Sequence, residues 1–133
     1  MRCLIPAAFL LALAAPAFAQ DVPGCDNATS NVEIGNCTLA AYQKADKELN
    51  AIWPKVLAYI DGQGDYMPPD AQQKWKATIV AAQKAWVSFK ENDCGAVQYE
   101  WWGGSGAGIA QTACLYAHTA ARVEDLKSRY LDR

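Results

Sequence analysis

The stretch SNVEIGNCTLAAYQKADKELNAIWPKVLAYID, residues 30–61, decides the fold class. Ser30 and Glu33 stand three residues apart at its start. That is the spacing of a capping box, in which the serine hydroxyl and the glutamate carboxylate each accept from an otherwise orphaned amide. Behind them Ile34, Cys37, Ala41, Ala45, Leu49, Ile52, Val56 and Ile60 recur at three- and four-residue steps, while Lys44, Lys47 and Glu48 fall largely off that line. One apolar stripe on a 3.6-residue period predicts an amphipathic helix with one buried face. Pro54 lies inside it, lacks an amide N–H and crowds the preceding turn, so a kink or short break is expected near residues 50–53.

The chain on either side continues in the same idiom. Asp61-Gly62-Gln63-Gly64-Asp65 is expected to end the first helix, with glycine at positions suited to left-handed backbone. Pro68-Pro69-Asp70 then opens a second, whose stripe is Ala71, Trp75, Ile79, Ala82, Trp86 and Phe89. Large aromatics alternating with alanines suit close packing against another helix, which assigns Trp75 and Trp86 to the core. Cys94-Gly95 is expected to stop this helix, leaving residues 96–108 as a connection, and a third helix is predicted over residues 109–129. Its stripe is Ile109, Ala113, Tyr116, Ala120, Val123 and Tyr130, with Leu126 alongside. No stretch alternates with period two, so the expected fold is all-α, a small up-down-up bundle of three helices without a sheet.

The N-terminal residues carry an export pattern. Arg2 precedes an apolar run over residues 3–15, and Ala17-Phe18-Ala19 supplies the small-x-small motif that signal peptidase accepts. Cleavage is expected after Ala19, making residues 1–19 a signal peptide and residues 20–133 one domain in the periplasm or outside the cell. A spanning helix needs roughly 20 apolar residues, more than this run offers. Cys3 stands at the head of the run and not after it, and Cys25 is approached through Asp21 and Pro23, so neither fits a lipoprotein signal, and no membrane anchor is expected after cleavage. The formal charge of −2 becomes −3 once Arg2 is removed, which argues against nucleic acid as a partner.

Four cysteines remain after cleavage: Cys25, Cys37, Cys94 and Cys114. An even number in a small exported chain reads as two disulfides. Zinc prefers closely spaced thiolates and imidazoles, whereas this chain has no Cys-x-x-Cys pair and a single histidine, His118, so no metal is expected. Four cysteines allow three connectivities. The sequence neighbours Cys25–Cys37 and Cys94–Cys114 are favoured, and the crossed pairings stay open because an up-down-up bundle gathers all four near one end.

The sequence carries no motif for catalysis and none for a cofactor. The glycine run at residues 103–108 lacks the lysine of a phosphate loop and follows no strand. It reads as a turn between helices. His118 has no neighbouring nucleophile, and Asp93 with Glu100 makes only a commonplace pair of acids near a loop. What stands out is Glu100-Trp101-Trp102-Gly103-Gly104-Ser105. Two adjacent tryptophans do not easily face one core. Either both cap the end of the bundle over the disulfides, or at least one is exposed as a binding anchor, a role in which Trp is over-represented.

Several spaced motifs resemble a known family, the LprI-type lysozyme inhibitor domains of bacterial envelopes. They are Cys25 and Cys37 around a helix start, Tyr42-x-x-Ala45-Asp46-x-x-Leu49-Asn50, Ala82-Gln83-x-x-Trp86 leading to Cys94, the glycine-serine turn, Cys114, and residues 119–126 with Arg122. Together they span nearly all of the expected mature chain. The resemblance implies a secreted helical domain that inhibits a host or rival lysozyme, with no catalytic residue and no cofactor. The chain departs from the pattern at Pro54 and in its signal, which is not of the lipoprotein type. The partner-binding residues expected here, Glu100, Trp101, Trp102 and Ser105, come from the residues themselves and not from the resemblance. The competing reading is a structural or accessory cell-envelope protein with no affinity for lysozyme. A carbohydrate-active enzyme is a distant third, for want of a nucleophile or metal site.

Overall fold

A computed structural model describes residues 22–132, so the expected signal peptide and its cleavage after Ala19 lie outside the described residues. The described residues form three helices: α1 (Asn31–Asp61), α2 (Pro69–Glu100) and α3 (Ala107–Tyr130). The all-α, three-helix expectation holds. At the start of α1 the capping box is complete, with the Glu33 amide donating to Ser30 Oγ and the Glu33 carboxylate accepting from the Ser30 and Thr29 amides. These backbone donors, that of Thr29 first, hold the Glu33 carboxyl below its ordinary value of 4.5.

No break interrupts α1 at Pro54, and the helix continues to Asp61. Residue 50, whose carbonyl loses its partner there, is exposed, so that carbonyl is open to solvent. Nor does a left-handed glycine end the helix, since Gly62 has φ −77°. Gln72 at the start of α2 closes it instead, its side-chain amide donating to the carbonyls of Ile60 (2.8 Å) and Asp61 (2.9 Å). An ion pair from Lys76 to Asp61 at 2.7 Å reinforces this corner.

The helices run up, down and up. Early α2 meets late α1 at Lys76–Asp61, and late α2 meets early α3 at the Cys94–Cys114 disulfide. The remaining pair, α1 and α3, is parallel and packs most closely: Asn31 bonds Ser105, Ile109 lies over Gly35, Lys127 bonds Glu48, and Tyr59 meets Tyr130. The core is built from Leu49, Ile52, Val56 and Ile60 of α1, Ile79 of α2, and Val123, Leu126 and Tyr130 of α3. Trp75 and Trp86 pack against it, as the stripe predicts. Tyr59, Trp75 and Tyr130, one from each helix, close one end with ring centroids 5.8–6.3 Å apart.

The α2 stripe needs adjustment. Its inward line is Trp75, Ile79, Trp86, Lys90 and Cys94; Ala82 is exposed, and Phe89 is 54% exposed and stands edge-on to His118. Both flanks of the connection shorten too. α2 continues past Cys94-Gly95 to Glu100, and α3 begins two residues earlier than expected. A glycine inside a helix costs only about 1 kcal/mol relative to alanine. The contact from Gln98 to Gln111, beside the disulfide, holds the extra turn in place.

Candidate functional site

Both disulfides form in the favoured pairing, Cys25–Cys37 and Cys94–Cys114. They lie at the end of the bundle opposite the aromatic trio and border an open groove of about 850 Å³. Its walls come from Ile34 and Thr38 of α1, Val97 of α2, and Ala110, Ala113 and Ala117 of α3. Those alanines follow one another at three- and four-residue steps and leave space where larger side chains would fill it. The charged lining is one-signed: Asp26, Asp93 and Glu100 are carboxylates, and among the described residues neither Lys nor Arg lines the groove. His118 joins this wall, with Nε2 2.8 Å from the Asp93 carboxylate.

The residues singled out as partner-binding divide into different roles. Trp101 lines the groove, is 46% exposed, and lays its ring over Gly106, where an added Cβ would meet it at 3.7 Å. Glu100 sits beside it on the groove. Trp102 is 81% exposed and stacks in parallel on Tyr99, itself 73% exposed, at 5.9 Å. Ser105 accepts a 3.1 Å hydrogen bond from the Asn31 side chain, so it ties the turn to the start of α1. The Trp pair therefore does not cap the bundle as a unit: Trp101 half-covers the groove rim and Trp102 faces solvent. Gly103 makes the intervening turn at φ +76°, a conformation L side chains rarely adopt, and the Gly104 amide closes it on the Trp101 carbonyl at 2.8 Å.

Sequence reasoning missed three parts of this end: the acidic groove, the His118–Asp93 pair and the role of Tyr99. The alanine steps and the four-residue spacing of Cys114 and His118 were the signals for the first two. The structure also brings Asp93, Cys94, Cys114 and His118 together, with ligand atoms all within 4.8 Å of one another. In the oxidised protein the two sulfurs are bonded to each other and offer no thiolate.

A second constellation holds the bundle at mid-height. The Lys90 ammonium lies 4.9 Å from the Trp86 ring and 5.5 Å from that of Tyr42, and the Arg122 guanidinium is 6.0 Å from Trp86. Arg122 also donates to Gln83 at 3.0 Å and pairs with Asp125 at 2.8 Å. Each cation–π contact contributes about 0.5–2 kcal/mol. Tyr42, Gln83, Trp86 and Arg122, which the family motifs single out, thus join all three helices. No helix among the described residues is long and apolar enough to cross a membrane.

The family model described as "Lysozyme inhibitor LprI" matches residues 25–126. An uncharacterized protein, R02472, of Rhizobium meliloti (strain 1021) is 32% identical over 132 residues, covering 96% of this chain and 94% of its own. No solved structure matches significantly.

Proposed function

Because the chain belongs to the LprI lysozyme-inhibitor family, we propose that it is an exported protein that binds a lysozyme and blocks it without catalysis. The carrying observation is the disulfide end of the bundle, where exposed aromatic faces flank a groove whose charged lining is carboxylate. Flat aromatics are strong interface anchors, and a one-signed groove selects partners of the opposite sign. The fit is therefore to a protein segment rich in Lys or Arg, reached by Trp101, Trp102 and Glu100, while Ser105 keeps the turn in register. The two disulfides suit an oxidising compartment such as the periplasm.

The test is the rate at which lysozymes of several classes clear bacterial cell walls, with and without excess protein. Slowing is expected for at least one class, and Trp101→Ala/Trp102→Ala should weaken it at least tenfold while the helical circular dichroism stays intact. Inhibition that survives the double substitution would remove the aromatic rim from the site. No slowing with any lysozyme would favour the accessory-protein reading.

A further inference from the structure

We propose that the Cys94–Cys114 disulfide is one of two ways of closing the same end of the bundle. Opened by a dithiol reductant, its sulfurs join His118 and Asp93 in a site for Zn²⁺ or another thiophilic divalent ion. The four donors come in two pairs. Asp93 and Cys94 are adjacent on α2, and Cys114 and His118 lie four residues apart on one face of α3. Their ligand atoms already lie within 4.8 Å of one another. Tetrahedral zinc holds sulfur at about 2.3 Å and nitrogen or oxygen at about 2.0–2.2 Å, which places ligand atoms roughly 3.3–3.8 Å apart. The most widely separated donors must close by roughly 1–1.5 Å and the two sulfurs must part to roughly 3.8 Å, movements that side-chain torsions supply once the sulfurs are no longer bonded to each other.

A dithiol supplies the two electrons that opening the disulfide requires. Cys114 lines the open groove and Cys94 is fully buried, so an incoming thiolate reaches the Cys114 sulfur and expels Cys94 as a thiolate. The reductant's second thiol then attacks its own sulfur in the mixed disulfide, releases the Cys114 thiolate and leaves as a cyclic disulfide. Two electrons pass to the protein sulfurs and one S–S bond replaces another. The ion binds the two thiolates, so for each zinc bound the two protons of the reductant's thiols go to solvent. The existing Asp93–His118 contact is of the type that orients metal-binding imidazoles, so Asp93 serves either as the fourth ligand or as the carboxylate behind the imidazole. Either closure ties α2 to α3.

Cobalt reports such a site directly. The protein and its Cys25→Ser/Cys37→Ser variant, each reduced with a phosphine and freed of it, are titrated with Co²⁺ and then Zn²⁺, with helix content followed throughout. One equivalent of Co²⁺ should bring thiolate charge-transfer absorption in the near ultraviolet and tetrahedral d–d bands in the visible. Zn²⁺ should erase both, and the oxidised protein should show neither. His118→Ala should weaken binding at least tenfold. The proposal fails if reduced, still-helical protein shows no cobalt bands, or if Asp93→Ala/His118→Ala binds as tightly as the parent. It fails equally if reduction abolishes the helices and Zn²⁺ does not restore them.

Discussion

Glu33 shows how much one side chain sets at the start of α1. Its carboxylate accepts from the Thr29 amide, the Ser30 amide and the Thr29 hydroxyl, at 2.9, 3.1 and 3.0 Å. These donors favour the charged form and lower its pKa. A group depressed in the folded state stabilises the fold above its unfolded value, and that contribution is lost as pH falls through the lower folded value. Glu33→Gln should therefore melt below the parent at neutral pH, and the gap should close as pH drops below about 4.5. Melting temperatures of both proteins across that range decide it. A gap independent of pH would mean that the charge does not hold the cap. Because Glu33 is exposed, added salt should narrow the neutral-pH gap as well.

At the scale of the helix, Pro54 is the point where local rule and tertiary context disagree. α1 stays helical across it because Leu49, Ile52, Val56 and Ile60 on both sides enter one core. The proline itself is exposed, so replacing it disturbs no packing. Pro54→Ala restores an amide for the carbonyl of residue 50 and should stabilise the protein by roughly 1–3 kcal/mol, read from urea unfolding. A loss would show that the core is fitted to a bend made by the proline. The legibility of the fold follows the same division between local and distant causes. Helix positions and the capping box could be read because their signals lie within a turn or two, whereas the disulfide pairing was favoured over the crossed ones only because its partners are neighbouring cysteines in the sequence. Three features could not, since their causes sit on other elements: Gln72 closing α1, the extra turn of α2 beside Gln111, and Lys90 replacing Phe89 on the inward face of α2. The site was half-legible for that reason. Trp101 and Glu100 could be singled out from their own neighbourhood, whereas the groove beside them exists only where all three helices meet.

Across the whole molecule the three helices are not equally held. α1 and α3 lie parallel with close approach at Gly35–Ile109, while α2 meets α1 sparsely and depends on its fastenings. Those are the aromatic trio and Lys76–Asp61 at one end, the Trp86 cluster midway, and Cys94–Cys114 at the other end. In the chain-entropy account each disulfide, closing separations of 12 and 20 residues, contributes about 3 kcal/mol. Nearly equal global losses should then have unequal local consequences. Cys94→Ser/Cys114→Ser should raise amide exchange most in the second half of α2, residues 84–100, and in the turn that follows. Cys25→Ser/Cys37→Ser should raise it mainly in residues 22–40. Hydrogen exchange followed by mass spectrometry resolves the two patterns, and a uniform rise in both variants would show that the bundle opens as one unit. The distinction bears on function because Trp101 and Trp102 ride on the end of α2. If only the first variant loosens that turn, it alone should lose affinity for the partner, though the two proteins are equally destabilised.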